Sequence, residues 1–199
     1  MPLQAANSSR LLSIATMHYP PNTDALRWFR DAVWPLLAHH ETAVGLDIVG
    51  GRPPDDLRQW AAHDPDVRVH GYVPDLDPLY RSAGIFIVPL RAGSGIRVKI
   101  LEAMARGVPV VSTTIGIEGL DVTPGEHVLV ADEPQEFARA IRWLLAVPER
   151  RSVMAAAARE LALAYDWRAC LQPLISAYRD FDTMETRYAV RAGAAPSHS

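Results

Sequence analysis

The residues from Ile85 to Thr113 read IFIVPLRAGSGIRVKILEAMARGVPVVST and contain several structural elements in succession. The apolar, β-branched start predicts a buried strand that ends at Pro89, because proline cannot donate to a sheet ladder. A glycine loop follows, and the good helix formers after Arg97 predict a helix. Gly107 stands where a left-handed residue is expected to end that helix, and Pro109 prevents it from resuming. The segment therefore predicts strand, loop, helix and strand.

The glycine loop and the start of this helix form a candidate anion site. Gly93 and Gly95 let backbone amides face outward, at the point where the positive end of the helix macrodipole lies. Arg97 and Lys99 add two full charges, so phosphate is the expected ligand. An alternative stays open, in which the glycines only make a turn and Glu102 only offsets the helix dipole. A short Gly-x-Gly sequence does not choose between the two.

Composition narrows the class of protein. A chain of 199 residues with 49% hydrophobic residues can bury a sizeable core, and we expect one domain with short extensions. The net charge of −3 does not suggest a nucleic-acid partner. The single cysteine, Cys170, excludes an intramolecular disulfide and fits a reducing compartment, so we expect a cytoplasmic protein. No apolar run approaches the ~20 residues that a membrane span needs.

Strand and helix patterns alternate along the chain. We expect residues 1–10 to be a disordered linker or expression remnant, residues 11–185 to form the domain, and residues 186–199 to be a disordered tail. Asn22 or Thr23 is expected to cap a helix that runs to about Ala38. Strands are predicted at 11–15, 44–49, 67–69, 85–88, 110–113 and 128–131. Besides the central helix, helices are predicted at 56–62, 76–81, 134–146 and 149–165, with a last one from Trp167.

This alternation predicts an α/β fold with a doubly wound, mostly parallel, Rossmann-like sheet. Ligands of such sheets bind outside the carboxyl ends of the strands. The loops expected there are 17–22, 71–74, 92–95 and 113–116. Because the candidate anion loop is one of them, the topology favours the phosphate interpretation over a simple turn.

Several phosphate-binding and catalytic classes are disfavoured by missing motifs. The sequence has no Gly-x-x-x-x-Gly-Lys-Ser/Thr, and no Gly-x-Gly-x-x-Gly or acidic pair follows the first strand. It also has no zinc-ligand spacing and no Gly-x-Ser-x-Gly nucleophile elbow. The histidines are scattered, and among them only His18 falls in a loop at a strand end. We therefore expect neither a metal nor a P-loop or dinucleotide site.

The segment from Gly93 to Thr113, followed by Gly116 to Gly119, resembles the donor-binding signature of family 4 glycosyltransferases, also called glycosyl transferases group 1. The segments 69–74 and 79–83 and the pair Pro21-Asn22 are also similar to that family. So are Glu136 to Ala138 and the late pair Asp166-Trp167. The similarity covers about residues 11 to 180. It implies the C-terminal, sugar-nucleotide-binding half of a GT-B enzyme.

The resemblance also implies roles for individual residues. Glu102 matches the family's second motif glutamate, which accepts hydrogen bonds from the ribose hydroxyls. The amides around Ile100 and Leu101 are expected to face the diphosphate, and the backbone near Tyr72 and Val73 to meet the base. The resulting candidates for donor binding are Gly93, Gly95, Arg97, Lys99, Ile100, Leu101, Glu102, Tyr72, Val73 and His18.

Two positions depart from the family pattern. The family's first glutamate, which contacts the transferred sugar, falls on Ser94, so Ser94 and Glu102 are the candidate catalytic residues. The loop after the first strand usually brings Arg and Lys to the diphosphate, whereas here it contains His18 and no such cation. Arg97 and Lys99 are the residues that could supply this charge instead.

The resemblance thus implies the donor-binding domain of a retaining, hexosyltransferase-type enzyme of polysaccharide or glycolipid synthesis. Its donor is a nucleoside-diphosphate sugar, and neither a metal nor another cofactor is expected. An N-terminal acceptor domain, in the same protein or in a partner chain, is needed for transfer, and membrane association through that missing half is left open. The alternative is a non-catalytic nucleotide-binding or interaction module derived from the same fold.

Overall fold

A computed structural model describes residues 8–37, 43–95 and 97–165 of the chain. The strands of these residues are β1 (Arg10–Ile14), β2 (Gly45–Val49), β3 (Val67–His70), β4 (Ile85–Val88), β5 (Val110–Ser112) and β6 (Leu129–Val130). The helices are α1 (Pro20–Trp28), α2 (Trp34–Leu37), α3 (Asp55–His63), α4 (Asp77–Ser82), α5 (Val98–Ala105), α6 (Pro134–Ala146) and α7 (Pro148–Ala164). A π-helical turn, Phe29–Val33, joins α1 to α2, and a 3₁₀ turn, Ile115–Ile117, lies between β5 and β6.

The strands form one sheet in the order β3-β2-β1-β4-β5-β6, and every neighbouring pair is parallel. This is the strand order of the doubly wound Rossmann sheet, so the predicted fold class is confirmed. The central strands are buried on both faces, as their continuous apolar sequences predict; all four residues of β4 are buried.

Two apolar layers cover the sheet. On one face, Leu11, Ile48 and Ile87 belong to a cluster with Phe29 and Phe137, whose rings are 6.0 Å apart in an edge-to-face arrangement. On the other face, Leu12, Phe86 and Val110 pack with residues of α4, α5 and α7, among them Tyr80, Ile100, Met104 and Ala158. The helices therefore bury apolar residues against both sides of the sheet, and α1 and α7 contribute to both layers.

The chain changes direction across the sheet between β1 and β4. From β1 it continues to β2 on one side, while from β4 it continues to β5 on the other. Of the helices that follow these two strands, α5 contributes to one apolar layer, whereas α1 contributes Leu26 to the other layer and Ala25 to the same layer as α5. A crevice for ligands forms at such a switch point, between the loops that leave the two strands.

Some predicted boundaries are corrected. Tyr19, not Asn22 or Thr23, is the residue before α1, and two prolines occupy its first positions, where their missing N–H groups cost nothing. Arg10, assigned to the linker, is the first residue of β1. The last strand is shorter than 128–131. The helix expected from Trp167 and the tail at 186–199 lie outside the described residues.

Candidate functional site

The loop after β4 has the glycine conformations that its sequence predicts. Gly93 and Gly95 have φ angles of 119° and 91°, which residues with a side chain rarely adopt. A Cβ on Gly93 would lie 3.0 Å from Nη2 of Arg97 and 3.3 Å from the hydroxyl of Tyr19. Gly93 therefore brings a loop backbone, a guanidinium and a phenol close together, and a larger residue would push them apart.

Lys99, in the first turn of α5, reaches across the switch point of the sheet. Its Nζ lies 3.4 Å from Oδ1 of Asn22 in α1, while Nδ2 of Asn22 donates to the Thr16 carbonyl at 3.0 Å. Burial, with the charge of Arg97 as the second cause, lowers the pKa of Lys99 to about 8. The amine thus stays mainly protonated at pH 7, although a neutral amide oxygen is its hydrogen-bond acceptor.

Arg97, which precedes α5, has only part of its guanidinium satisfied. Nη1 donates to the carbonyls of Ser94 and Gly95, both at 2.5 Å. Nε and Nη2 are buried and have no hydrogen-bond partner among the described residues. Leaving charged donors buried without an acceptor is costly, so this position favours an anion.

The Ile100 amide, expected to face the diphosphate, is not free to do so. The Ile100 N–H donates to the Arg97 carbonyl at 2.8 Å, so it is engaged within the chain. The amides of Val98 and Lys99 come earlier in the first turn, where a helix offers no carbonyl four residues back. These two amides are therefore added to that of Leu101 as candidates for an anion, and that of Ile100 is engaged elsewhere.

Glu102 lies one turn further along α5 and is half-buried. Its Oε2 accepts a hydrogen bond from the hydroxyl of Tyr80, in α4, at 3.3 Å. Among the described residues, no cation forms an ion pair with this carboxylate within 4.0 Å. The carboxylate is therefore a hydrogen-bond acceptor that does not cancel the charges of Arg97 and Lys99.

The remaining predicted residues lie on separate loops. His18 is exposed in the turn after β1, and Ser94 is exposed in the glycine loop. Tyr72 is 82% exposed and Val73 half-buried, both in the loop after β3. Because β3 is three strand spacings from β4, roughly 14 Å, only a ligand extended along the strand ends could contact both loops.

Sequence reasoning missed two contributors to this site. No sequence pattern marks Tyr19 as a site residue, because only the folded chain brings its hydroxyl close to Gly93. Tyr80 was named within a family-like segment, but 22 residues separate it from Glu102, and no periodic pattern connects the two. Asn22 was expected to cap a helix; its side chain instead contacts Lys99.

The fold and the site define a class of protein, a doubly wound α/β domain with a cluster of cations at its switch point. The chain belongs to the family described as glycosyl transferases group 1, whose model matches residues 8–147.

A D-inositol 3-phosphate glycosyltransferase of Corynebacterium urealyticum is 34% identical over 112 residues, which are 55% of this chain and 26% of that protein. The chain spans only 26% to 37% of the length of the first curated relatives that it matches.

Solved structures of glycosyltransferases share the fold. The C-terminal domain of LpcC, a glycosyl transferase group 1 family protein of Francisella tularensis, has a TM-score of 0.64 at 18% identity, and the match covers 79% of this chain and 86% of that one. HepE of Anabaena, in complex with UDP and glucose, has a TM-score of 0.68 at 17% identity, covering 87% of this chain and 48% of that one. The GT-B architecture implied by the sequence is confirmed by such neighbours.

The described residues contain neither a membrane-spanning helix nor a cluster of metal ligands. Across 8–37, 43–95 and 97–165, no helix combines the length and apolar character required to cross a membrane. Within the same ranges, no group of three or more His, Cys, Asp or Glu side chains is arranged to hold a metal ion.

Proposed function

We propose that this chain is the donor-binding, C-terminal half of a retaining glycosyltransferase and that it binds a nucleoside-diphosphate sugar. The observation that carries the proposal is the cation cluster at the switch point. Among residues 8–37, 43–95 and 97–165, buried donors of Arg97 have no acceptor and Lys99 has only a neutral one. A diphosphate would satisfy both. The UDP in the HepE complex, a protein of the same fold, supports this ligand class.

The diphosphate is assigned to the Gly93–Lys99 region. The first-turn amides of Val98 and Lys99 and the side chains of Arg97 and Lys99 would share its charge. During transfer, negative charge develops on the leaving nucleoside diphosphate, and these fixed donors would stabilise it without a metal. The ribose is assigned to Glu102, because this residue lies about one helical turn after the amides and side chains that would bind the diphosphate. The base is assigned to the backbone at Tyr72 and Val73.

The whole reaction requires a second domain. Family relatives are much longer than this chain, and we assign acceptor binding to a part outside these 199 residues. Polysaccharide or glycolipid synthesis, in the cytoplasm, is the setting that the family resemblance supports.

Isothermal titration calorimetry with UDP, GDP and ADP tests donor binding. We expect at least one of them to bind with a stoichiometry near one, and Arg97→Ala and Lys99→Ala to weaken that binding. Arg58→Ala, which removes an exposed cation on α3, is the matched control and should leave affinity unchanged. Absence of binding by all three nucleotides would reject the proposal.

A non-catalytic nucleotide-binding module is the second candidate. It is favoured by Ser94, which stands where the family's sugar-contacting glutamate is expected and offers no negative charge. Two measurements separate the two candidates. A donor-binding half should bind a nucleotide sugar more tightly than the matching nucleoside diphosphate or support transfer once completed, whereas a module that has lost transfer should do neither.

A further inference from the structure

We propose that Tyr80 is a positioning residue that holds the Glu102 carboxylate in the orientation needed to recognise a ribose. The inference rests on the proposed function, because it assigns a second residue to the same nucleotide site. Tyr80 lies in α4 and Glu102 in α5, so the contact between them also joins two helices on one face of the sheet.

The ring of Tyr80 is buried and packs against an aromatic ring and a guanidinium. It is 1% exposed, and it stacks on Phe86 of β4 with ring centroids 5.9 Å apart and an interplanar angle of 28°. The guanidinium carbon of Arg106 lies over the ring, 4.6 Å from its centroid. A ring confined in this way cannot move its hydroxyl away from Glu102 without disturbing the core.

Arg106 is itself restrained from two directions. Its Nε pairs with Oδ1 of Asp77 at 3.0 Å, and its Nη1 donates to the backbone carbonyl of Glu102 at 3.3 Å. These contacts run from Asp77 on α4 through Arg106 to the Tyr80 ring. Arg106 also binds the backbone of Glu102, whose carboxylate contacts Tyr80. Helix α4 and the start of the ribose site form one connected unit.

The hydroxyl of Tyr80 is a donor, not an acceptor, in this contact. Burial, and secondly the negative charge of Glu102, raise the pKa of the phenol far above its ordinary value, so it keeps its proton. It donates to Oε2 at 3.3 Å. A carboxylate oxygen has two lone pairs, so Oε2 can still accept one ribose hydroxyl while Oε1 accepts the other.

Without that hydroxyl, the Glu102 side chain would regain rotational freedom. A flexible carboxylate must then be ordered by the ligand, which lowers affinity for ligands that use it and leaves other ligands unaffected. The expected consequence is a loss of selectivity for ribose over 2′-deoxyribose. Binding of the diphosphate alone should not change.

Tyr80→Phe tests this directly, because it removes the hydroxyl and keeps the ring packed against Phe86 and Arg106. The probes are the tightest-binding member of the UDP, GDP and ADP panel, its 2′-deoxy analogue, and inorganic pyrophosphate. We expect about a 3- to 10-fold loss of affinity for the ribonucleotide, the range for one hydrogen bond. The 2′-deoxy analogue should lose less than about 2-fold, and pyrophosphate should be unaffected.

Coupling to Glu102 is measured in a double-mutant cycle. In a Glu102→Gln background, Tyr80→Phe should cause little further loss, since the two residues act on the same ligand contact.

The possible failures are distinguishable. If the unmodified chain binds no nucleotide, the proposed function and this inference both fall. If it binds and Tyr80→Phe keeps the ribose selectivity, only the role of Tyr80 is rejected. An equal loss for all three probes, together with a lower melting temperature, also rejects it, because it would identify Tyr80 as a residue of the core alone.

Discussion

Nζ of Lys99 lies 3.4 Å from Oδ1 of Asn22, although 77 residues separate the two along the chain. One belongs to the helix after β4 and the other to the helix after β1, and these strands are neighbours at the switch point of the sheet. A cation is thus placed at the switch point of the sheet, where its hydrogen-bond acceptor is a neutral amide oxygen. Lys99 is therefore placed where it can donate to a bound anion.

Replacing Lys99 with alanine should weaken nucleoside-diphosphate binding by about 1–3 kcal/mol, the range for a hydrogen bond to a charged group. The loss should shrink at high salt, because an ionic contact is screened. Titration calorimetry at two ionic strengths measures both effects, with Arg58→Ala as the control. Unchanged affinity would mean that Lys99 only fills space beside Asn22.

Binding should also depend on pH above neutrality. Lys99 has a pKa of about 8 in the folded chain, and a bound diphosphate favours its protonated form. Affinity should therefore fall between about pH 8 and 10, by at most about tenfold per pH unit. Calorimetry near pH 8.5 in two buffers of different ionisation enthalpy should detect proton uptake on binding. In Lys99→Ala this uptake should disappear.

Deprotonation of Lys99 also affects the stability of the fold. Whereas affinity should fall as the pH rises, the free energy of unfolding should rise. The pKa of Lys99 is lower in the folded chain than its ordinary value near 10.5, so the unfolded chain binds more protons between about pH 8 and 10.5. The contribution of Lys99 to the free energy of unfolding should therefore rise with pH across that window. Chemical denaturation of the unmodified chain and of Lys99→Met at pH 7.5 and 9.5 measures this contribution, as the difference between their free energies of unfolding at each pH. A difference that does not change with pH would contradict the assigned burial of the amine.

Glu102→Gln should lower affinity for a ribonucleoside diphosphate and barely alter affinity for its 2′-deoxy analogue. The reason is that a carboxylate accepts two ribose hydroxyls, whereas an amide offers one accepting oxygen. Paired titrations of the two nucleotides give the selectivity ratio. Equal losses for both would show that Glu102 acts on the helix dipole and not on the sugar.

The chain alone should bind donor without transferring it. Positioning of an acceptor by a second domain that excludes water can supply ~7–11 kcal/mol of the barrier. Hydrolysis of UDP-glucose or GDP-mannose by the purified chain should stay near background, with or without sugar acceptors, and adding the acceptor domain of a family member should be required for turnover. Acceptor-dependent transfer by this chain as a monomer would place all catalytic groups within it.

Local sequence was sufficient for much of the fold and for part of the site. Continuous apolar runs such as Ile85–Val88 predict strands buried on both faces, and their alternation with helical patterns predicts a parallel sheet. Gly107 was expected to be left-handed and has a φ of 72°. These features depend on neighbouring residues, so a short stretch of sequence contains the information for them.

The tertiary structure decided which side chains meet. The contacts of Lys99 with Asn22 and of Tyr80 with Glu102 depend on strand order and on which face of the sheet each helix covers. The partners of Arg97 likewise depend on how the glycine loop folds back toward α5. Hydrophobic periodicity is a local property, whereas these contacts arise from packing between segments that are distant in the chain. The sequence by itself therefore determined the layers of the domain and the position of its glycine loop, and only the folded sheet determined which side chains hold Lys99 and Glu102 in place.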